Sequence, residues 1–156
     1  MNRTISRMAF ACLAAGALTV SGPVWRVAAT AAQSEPQRQG VYNGLNVTVT
    51  AVERAPSAGL TDCPAGANIV RGMTRPGEEF AIVMLDLEVL PDFTPGPMPR
   101  PVVADEAGEV YHTAAAFVVD GGAASEFSCG FPFRVPAGTA LTTFTLDSLV
   151  LDLTGL

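Results

Sequence analysis

A chain of 156 residues is long enough for one domain with a proper core. Its nine arginines, fifteen acids and single histidine give a net charge of −6, with no lysine anywhere. That balance argues against nucleic acid or anionic lipid as partner, because both need a basic footprint. One histidine also leaves a two-histidine copper site without its ligands, and Met73, Met84 and Met98 are too scattered to replace them.

The chain opens with Arg3 and Arg7, an apolar run over 8–20, and small residues at Ala28-Ala29-Thr30-Ala31-Ala32. Basic, then apolar, then Ala-x-Ala is the order of a secretory signal peptide. Residues 1–31 are therefore expected to be a leader cut near Ala31, leaving a secreted or periplasmic chain. The run falls short of the roughly 20 apolar residues that span a bilayer, which makes an uncleaved anchor the alternative. Cys12 sits inside the run, where lipid attachment would leave almost no apolar segment ahead of it. Loss of the leader removes Cys12 and three arginines, so six arginines face fifteen acids, a net charge of −9. No later run approaches membrane length, and no membrane span is expected after processing.

Residues 32–41 are polar and read as a flexible lead-in, with the folded domain over 42–156. From Leu45 the pattern has period two, with Leu45, Val47, Val49 and Ala51 inward, as in a half-buried strand. Residues 54–79 lack periodicity and are rich in proline and glycine. They read as a long loop that holds Cys63, with a short strand near Ile69-Val70. Residues 80–90 are apolar on both faces at first and alternate from Leu85, as expected of a central strand that emerges toward solvent. Residues 91–101 (PDFTPGPMPRP) read as loop, since proline donates no ladder hydrogen bond. Val102-Val103-Ala104 and Glu109-Val110-Tyr111 flank a turn in which Gly108 supplies positive φ. A short strand is expected over 114–119, before the Asp120-Gly121-Gly122 turn. Phe127, Cys129, Phe131, Phe133 and Val135 then alternate inward, while Pro132 on the other face indicates an edge or a bulge. Residues 141–153 read as one last strand that changes register midway. About seven short strands without an amphipathic helix predict an all-β fold, an antiparallel immunoglobulin-like β-sandwich.

Four segments in this order carry a resemblance: Leu45-Asn46-Val47-Thr48-Val49-Thr50, Phe80-Ala81-Ile82-Val83-Met84-Leu85-Asp86-Leu87, Asp105-Glu106-Ala107-Gly108-Glu109-Val110-Tyr111, and Phe133-Arg134-Val135-Pro136. The set resembles the bacterial secreted immunoglobulin-like domains of the DUF4352 type, related in fold to a mycobacterial immunoprotective extracellular antigen. The resemblance spans roughly 42–153. It departs from the family at the proline-rich 91–101 segment and at 120–126, where members carry a short polar turn and a Pro-Gly turn. It implies an extracellular, non-catalytic role and brings no catalytic residues with it.

Few residues carry chemistry. Cys63 and Cys129, left as a pair in an exported domain, are expected to form a disulfide. In the chain-entropy model a loop of that length is stabilised by roughly 4 kcal/mol. A metal pair or a redox pair is the alternative, the latter without a Cys-x-x-Cys spacing. His112 with Ser125 or Ser128 outlines a hydrolase on paper, but no Gly-x-Ser-x-Gly elbow is present. Asp105, Glu106 and Glu109 form an acidic turn, either solvated or a set of oxygen ligands for calcium. Asn46-Val47-Thr48 matches a glycosylation sequon, which a bacterial-style leader argues is unused. Arg71, Arg75 and Arg100 concentrate positive charge in the two irregular loops, where recognition on a rigid scaffold resides. The expectation is a non-catalytic binding module without a cofactor, whose partner is a protein or cell-envelope component. An accessory envelope protein and a small hydrolase using His112 are the alternatives.

Overall fold

The computed structural model describes residues 36–58, 72–113, 118–119 and 124–156. The expected leader, Cys63, Arg71, the Ile69-Val70 strand and the turn at 120–122 lie outside the described residues. In chain order the strands are β1 (Gln39–Tyr42), β2 (Leu45–Ala55), β3 (Ser57–Ala58), β4 (Gly72–Met73), β5 (Glu78–Val89) and β6 (Gly96–Pro97). They continue with β7 (Val102–Asp105), β8 (Val110–His112), β9 (Val118–Val119), β10 (Glu126–Pro136), β11 (Leu141–Leu146) and β12 (Leu149–Asp152). Among the described residues no helix is long and apolar enough to cross a membrane.

Two four-stranded antiparallel sheets, ordered β1-β2-β5-β10 and β12-β11-β7-β8, form the expected sandwich, with eight principal strands against about seven. Their inner faces share one core. Val47, Ala81, Val83, Leu85, Cys129 and Phe133 of the first sheet pack with Val103, Phe144, Leu146 and Leu151 of the second. Phe144 bridges the layers, its ring centroid 6.5 Å from that of Phe131 and 6.3 Å from that of Phe133. Leu45, Val47 and Val49 point inward as their alternation requires. Leu85 and Leu87 do the same on β5, which is central and pairs with both β2 and β10. Its apolar first half is explained by two burials: Ala81 and Val83 face the core, while Phe80 and Ile82 form a second cluster outside the sheet with Ala58. Pro132 lies on edge strand β10, where its missing N–H breaks no second ladder.

Several expectations are corrected. The lead-in is not flexible as far as Gly40 and Val41: residues 39–42 form β1, paired with β2 through an Asn43-Gly44 turn whose φ angles are 47° and 72°. Ala51 does not continue the inward row. The register slips between Val49 and Ala51, and after this bulge Val52 packs on the core instead. The proline-rich segment is not loop throughout. Gly96–Pro97 pairs with Val118–Val119, and Met98 is buried in the main core. An edge ribbon of two pairs tolerates proline because its outer N–H needs no partner. Finally, 141–153 is not one strand. Asp147, at φ 54°, turns the chain, so that β11 and β12 pair with Leu146 opposite Leu149. The apparent register change is a hairpin.

Candidate functional site

At one end of the first sheet the outward positions of three neighbouring strands, β2, β5 and β10, are polar. Register sets them in two cross-strand rows: Thr48, Asp86 and Ser128, then Asn46, Glu88 and Glu126. Together with Leu87 and Phe127 they line an open trough of about 430 Å³. Ser128 Oγ donates to Asp86 Oδ1 at 2.6 Å, and Asn46 Nδ2 donates to Glu88 Oε2 at 3.0 Å. Gln39 Nε2, from β1, donates to Asn46 Oδ1 at 2.9 Å and fixes that amide. Glu126 stands directly opposite Glu88, and no basic side chain lines the trough. The surface offers carboxylate acceptors to cations and to hydrogen-bond donors.

The trough contains none of the residues singled out for recognition. Sequence reasoning missed it because Asp86 and Glu88 look like the solvated complement of an inward row. Only the β5–β10 register brings Glu126 beside them. The signal available was acidic residues at alternate positions of one strand.

The acidic hairpin is occupied with its own geometry. Asp105 Oδ1 accepts the Ala107 and Glu109 amides, each at 2.9 Å, and Oδ2 accepts the Tyr111 hydroxyl at 2.9 Å. The Glu109 amide is the chief cause holding the Asp105 carboxyl below the ordinary aspartate pKa, and the Tyr111 hydroxyl adds to it. Tyr111 is pushed up, first by desolvation and then by Asp105. Asp105 is thus a turn residue. Among the described residues no group of three or more metal-ligating side chains converges, at Asp105, Glu106 and Glu109 or elsewhere.

His112 ends β8 in the second sheet and is exposed, while Ser128 is bonded to Asp86 on the outer face of the first. No nucleophile–base pair is assembled from these two. Arg75 lies in the exposed turn before β5, where its backbone carbonyl accepts the Glu78 amide, and Arg100 is exposed just ahead of β7. The arginines that organise structure are others. Arg54 bridges Glu79 Oε1 at 3.0 Å and the Thr139 carbonyl at 2.8 Å. Arg134 lies over the Phe80 ring, 5.4 Å from its centroid. Cys129 is wholly buried on the inner face of β10.

Neither a protein-family model nor a curated protein matches the sequence. Among solved structures, the chain is similar to an uncharacterised β-sandwich protein of Clostridium difficile 630. The two are 9% identical with a TM-score of 0.47, over 74% of this chain and 87% of that one.

Proposed function

We propose that this chain is an exported, non-catalytic interaction module whose β2–β5–β10 trough receives an extended, arginine- or lysine-bearing segment of a partner protein in the cell envelope. One observation carries the reading: three carboxylates share the trough with no basic side chain among its lining residues. Glu88 and Glu126 oppose each other across the ladder, an arrangement that costs roughly 0.2–1 kcal/mol. A cationic guest relieves that repulsion. The trough is open and shallow, which suits an extended segment better than an enclosed small molecule.

Export rests on the order of Arg3, Arg7, the apolar run and the Ala-rich site near Ala31. The Cys63–Cys129 disulfide is supported by the inward, buried position of Cys129 and by the pair that remains once Cys12 is removed. The DUF4352-type resemblance supports the same extracellular, non-catalytic role.

Calorimetric titration of the mature chain with an Arg-Gly repeat peptide tests the proposal. Binding is expected to weaken with added salt and to fall at least about tenfold when Asp86, Glu88 and Glu126 are replaced by their amides, a loss of roughly 1.4 kcal/mol. Neutralising Glu53, Glu106 and Asp147 instead is the control. Equal losses in both triple variants would mean that the peptide follows the overall negative charge and not the trough.

A further inference from the structure

Asn43 and Gly44 are the whole connection between β1 and β2, and their φ angles, 47° and 72°, make it a type I′ turn. Asparagine followed by glycine is also chemically weak. The amide nitrogen of the second residue can attack the side-chain Cγ of the first, and glycine has no Cβ to obstruct it. Asn43 is exposed, so water reaches the reacting amide. The turn itself opposes the attack. In a type I′ turn the first central residue has ψ of about +30°. At that angle the Gly44 nitrogen points away from the Asn43 side chain, nearly anti to its Cβ. Asn43 Nδ2 donates to the Thr94 carbonyl at 3.1 Å, which holds the side chain where it is. Gly44 is seated as firmly. Its carbonyl accepts the Leu90 amide at 2.8 Å, and it lies so close to the Phe93 backbone that a Cβ would overlap it. Ring closure has to wait until the turn opens.

We propose that Asn43 is a latent modification site: the folded hairpin holds back its deamidation, and the deamidated residue unfastens β1. When the turn opens, the Gly44 nitrogen bonds to Asn43 Cγ and gives up its proton, and the side-chain nitrogen leaves as ammonia. Water then opens the resulting succinimide at either carbonyl, and no other reagent is consumed. One product is aspartate. The other is isoaspartate, whose main chain runs through Cβ and Cγ and is one carbon longer. Neither ionised product can donate to the Thr94 carbonyl, and isoaspartate cannot rebuild the two-residue turn that sets the register of β1 on β2. The effect reaches both sheets. The Arg38 carbonyl accepts the Val49 amide of the first sheet and the Gln37 carbonyl accepts the Asp152 amide of the second, each at 2.8 Å. Arg38 Nη2 adds a bond to the Thr154 carbonyl at 2.9 Å. The segment governed by the turn thus stitches the sheets along one side. Its Gln39 also fixes the Asn46 amide at the trough, although the modification stands whether or not the trough binds a cationic segment.

Ageing the mature chain at neutral pH, folded and in guanidinium chloride, and mapping position 43 by mass spectrometry tests the site and its gate. The folded chain is expected to deamidate at least about tenfold more slowly than the unfolded one, because only the open turn reacts. Equal rates would overturn the gate, and no isoaspartate at 43 in the unfolded chain would overturn the site. The modified form carries one more negative charge and separates by anion exchange from the aged folded sample. In it, hydrogen–deuterium exchange of the Val49, Leu90 and Asp152 amides should be at least about tenfold faster than in the unaltered chain, with β10 unchanged. Equal protection in the two forms would overturn the unfastening. Asn43→Asp has the charge without the longer main chain and should fall between them. An effect as large as that of isoaspartate would overturn register as its cause.

Discussion

Asp105 and Tyr111 close the β7–β8 hairpin through one hydrogen bond of 2.9 Å, and each shifts the titration of the other. A carboxyl held below its unfolded value, about 3.9, stabilises the fold above that pH and loses the contribution as pH falls through the lower folded value. A tyrosine raised above its unfolded value, about 10, stabilises below that pH and loses the contribution as pH rises through the higher folded value. Asp105→Asn should therefore reduce the acid sensitivity of stability below about pH 4. It should also bring the Tyr111 midpoint part of the way down, since desolvation and the Glu109 charge still hold it up. Ultraviolet titration reads this cleanly, since Tyr42 is the only other tyrosine. A Tyr111 midpoint that ignores the substitution would remove Asp105 as a cause. Glycine at two turns offers a second contrast. Gly44 and Gly138 both have positive φ, at 72° and 80°. A methyl group on Gly44 would overlap the Phe93 backbone, while one on Gly138 meets open space. Gly138→Ala should cost about 1–2 kcal/mol for its backbone conformation alone, and Gly44→Ala a further 1–3 kcal/mol for the overlap. Urea denaturation of both variants separates the two effects.

At the level of elements, strands were legible wherever one face meets the core and the other meets water. Val47 and Val49 on β2, and Phe131, Phe133 and Val135 on β10, announce themselves by alternation, and all are buried. Connections were legible only when their residues were taken as turn chemistry. Asn43-Gly44 is a two-residue hairpin signal, and missing it left β1 as a lead-in. Asp147-Ser148 joins β11 to β12 without glycine or proline, so nothing in composition separated a hairpin from a bulge. The trough was illegible for a different reason: it is made by register, and register follows from the bulge after Val49 and from the length of the β5–β10 ladder. Glu126→Lys exploits that register. A lysine opposite Glu88 turns a repulsive cross-strand pair into an attractive one, worth about 0.5–1 kcal/mol, so the thermal midpoint should rise. Capture of the Arg-Gly peptide should fall in the same variant. Stability and binding moving in opposite directions is the mark of a site; both falling together would indicate damage to the strand.

For the molecule as a whole, the packing of Phe144 and the proposed disulfide are expected to act on different states of the chain. Phe144 works in the folded chain, wedged against Phe131 and Phe133 with no exposed surface. Phe144→Ala should cost about 3–5 kcal/mol, through lost burial and the cavity left behind. The denaturant slope should stay nearly constant, because the unfolded chain is unchanged. The proposed Cys63–Cys129 disulfide works mainly on the unfolded chain, by shortening its reach. Reductant should therefore lower stability by roughly 4 kcal/mol and steepen the denaturant slope, since the reduced chain expands further. Cys129 belongs to the same core as Phe144, yet the two costs should add to within about 0.5 kcal/mol if one arises in the folded state and the other in the unfolded state. Thiol labelling of the unfolded mature chain gives the chemical check. No labelling before reductant and two labels per chain after it are expected. Two labels in both conditions would mean that Cys129 is held by packing alone, and reductant would then leave the unfolding curve where it was.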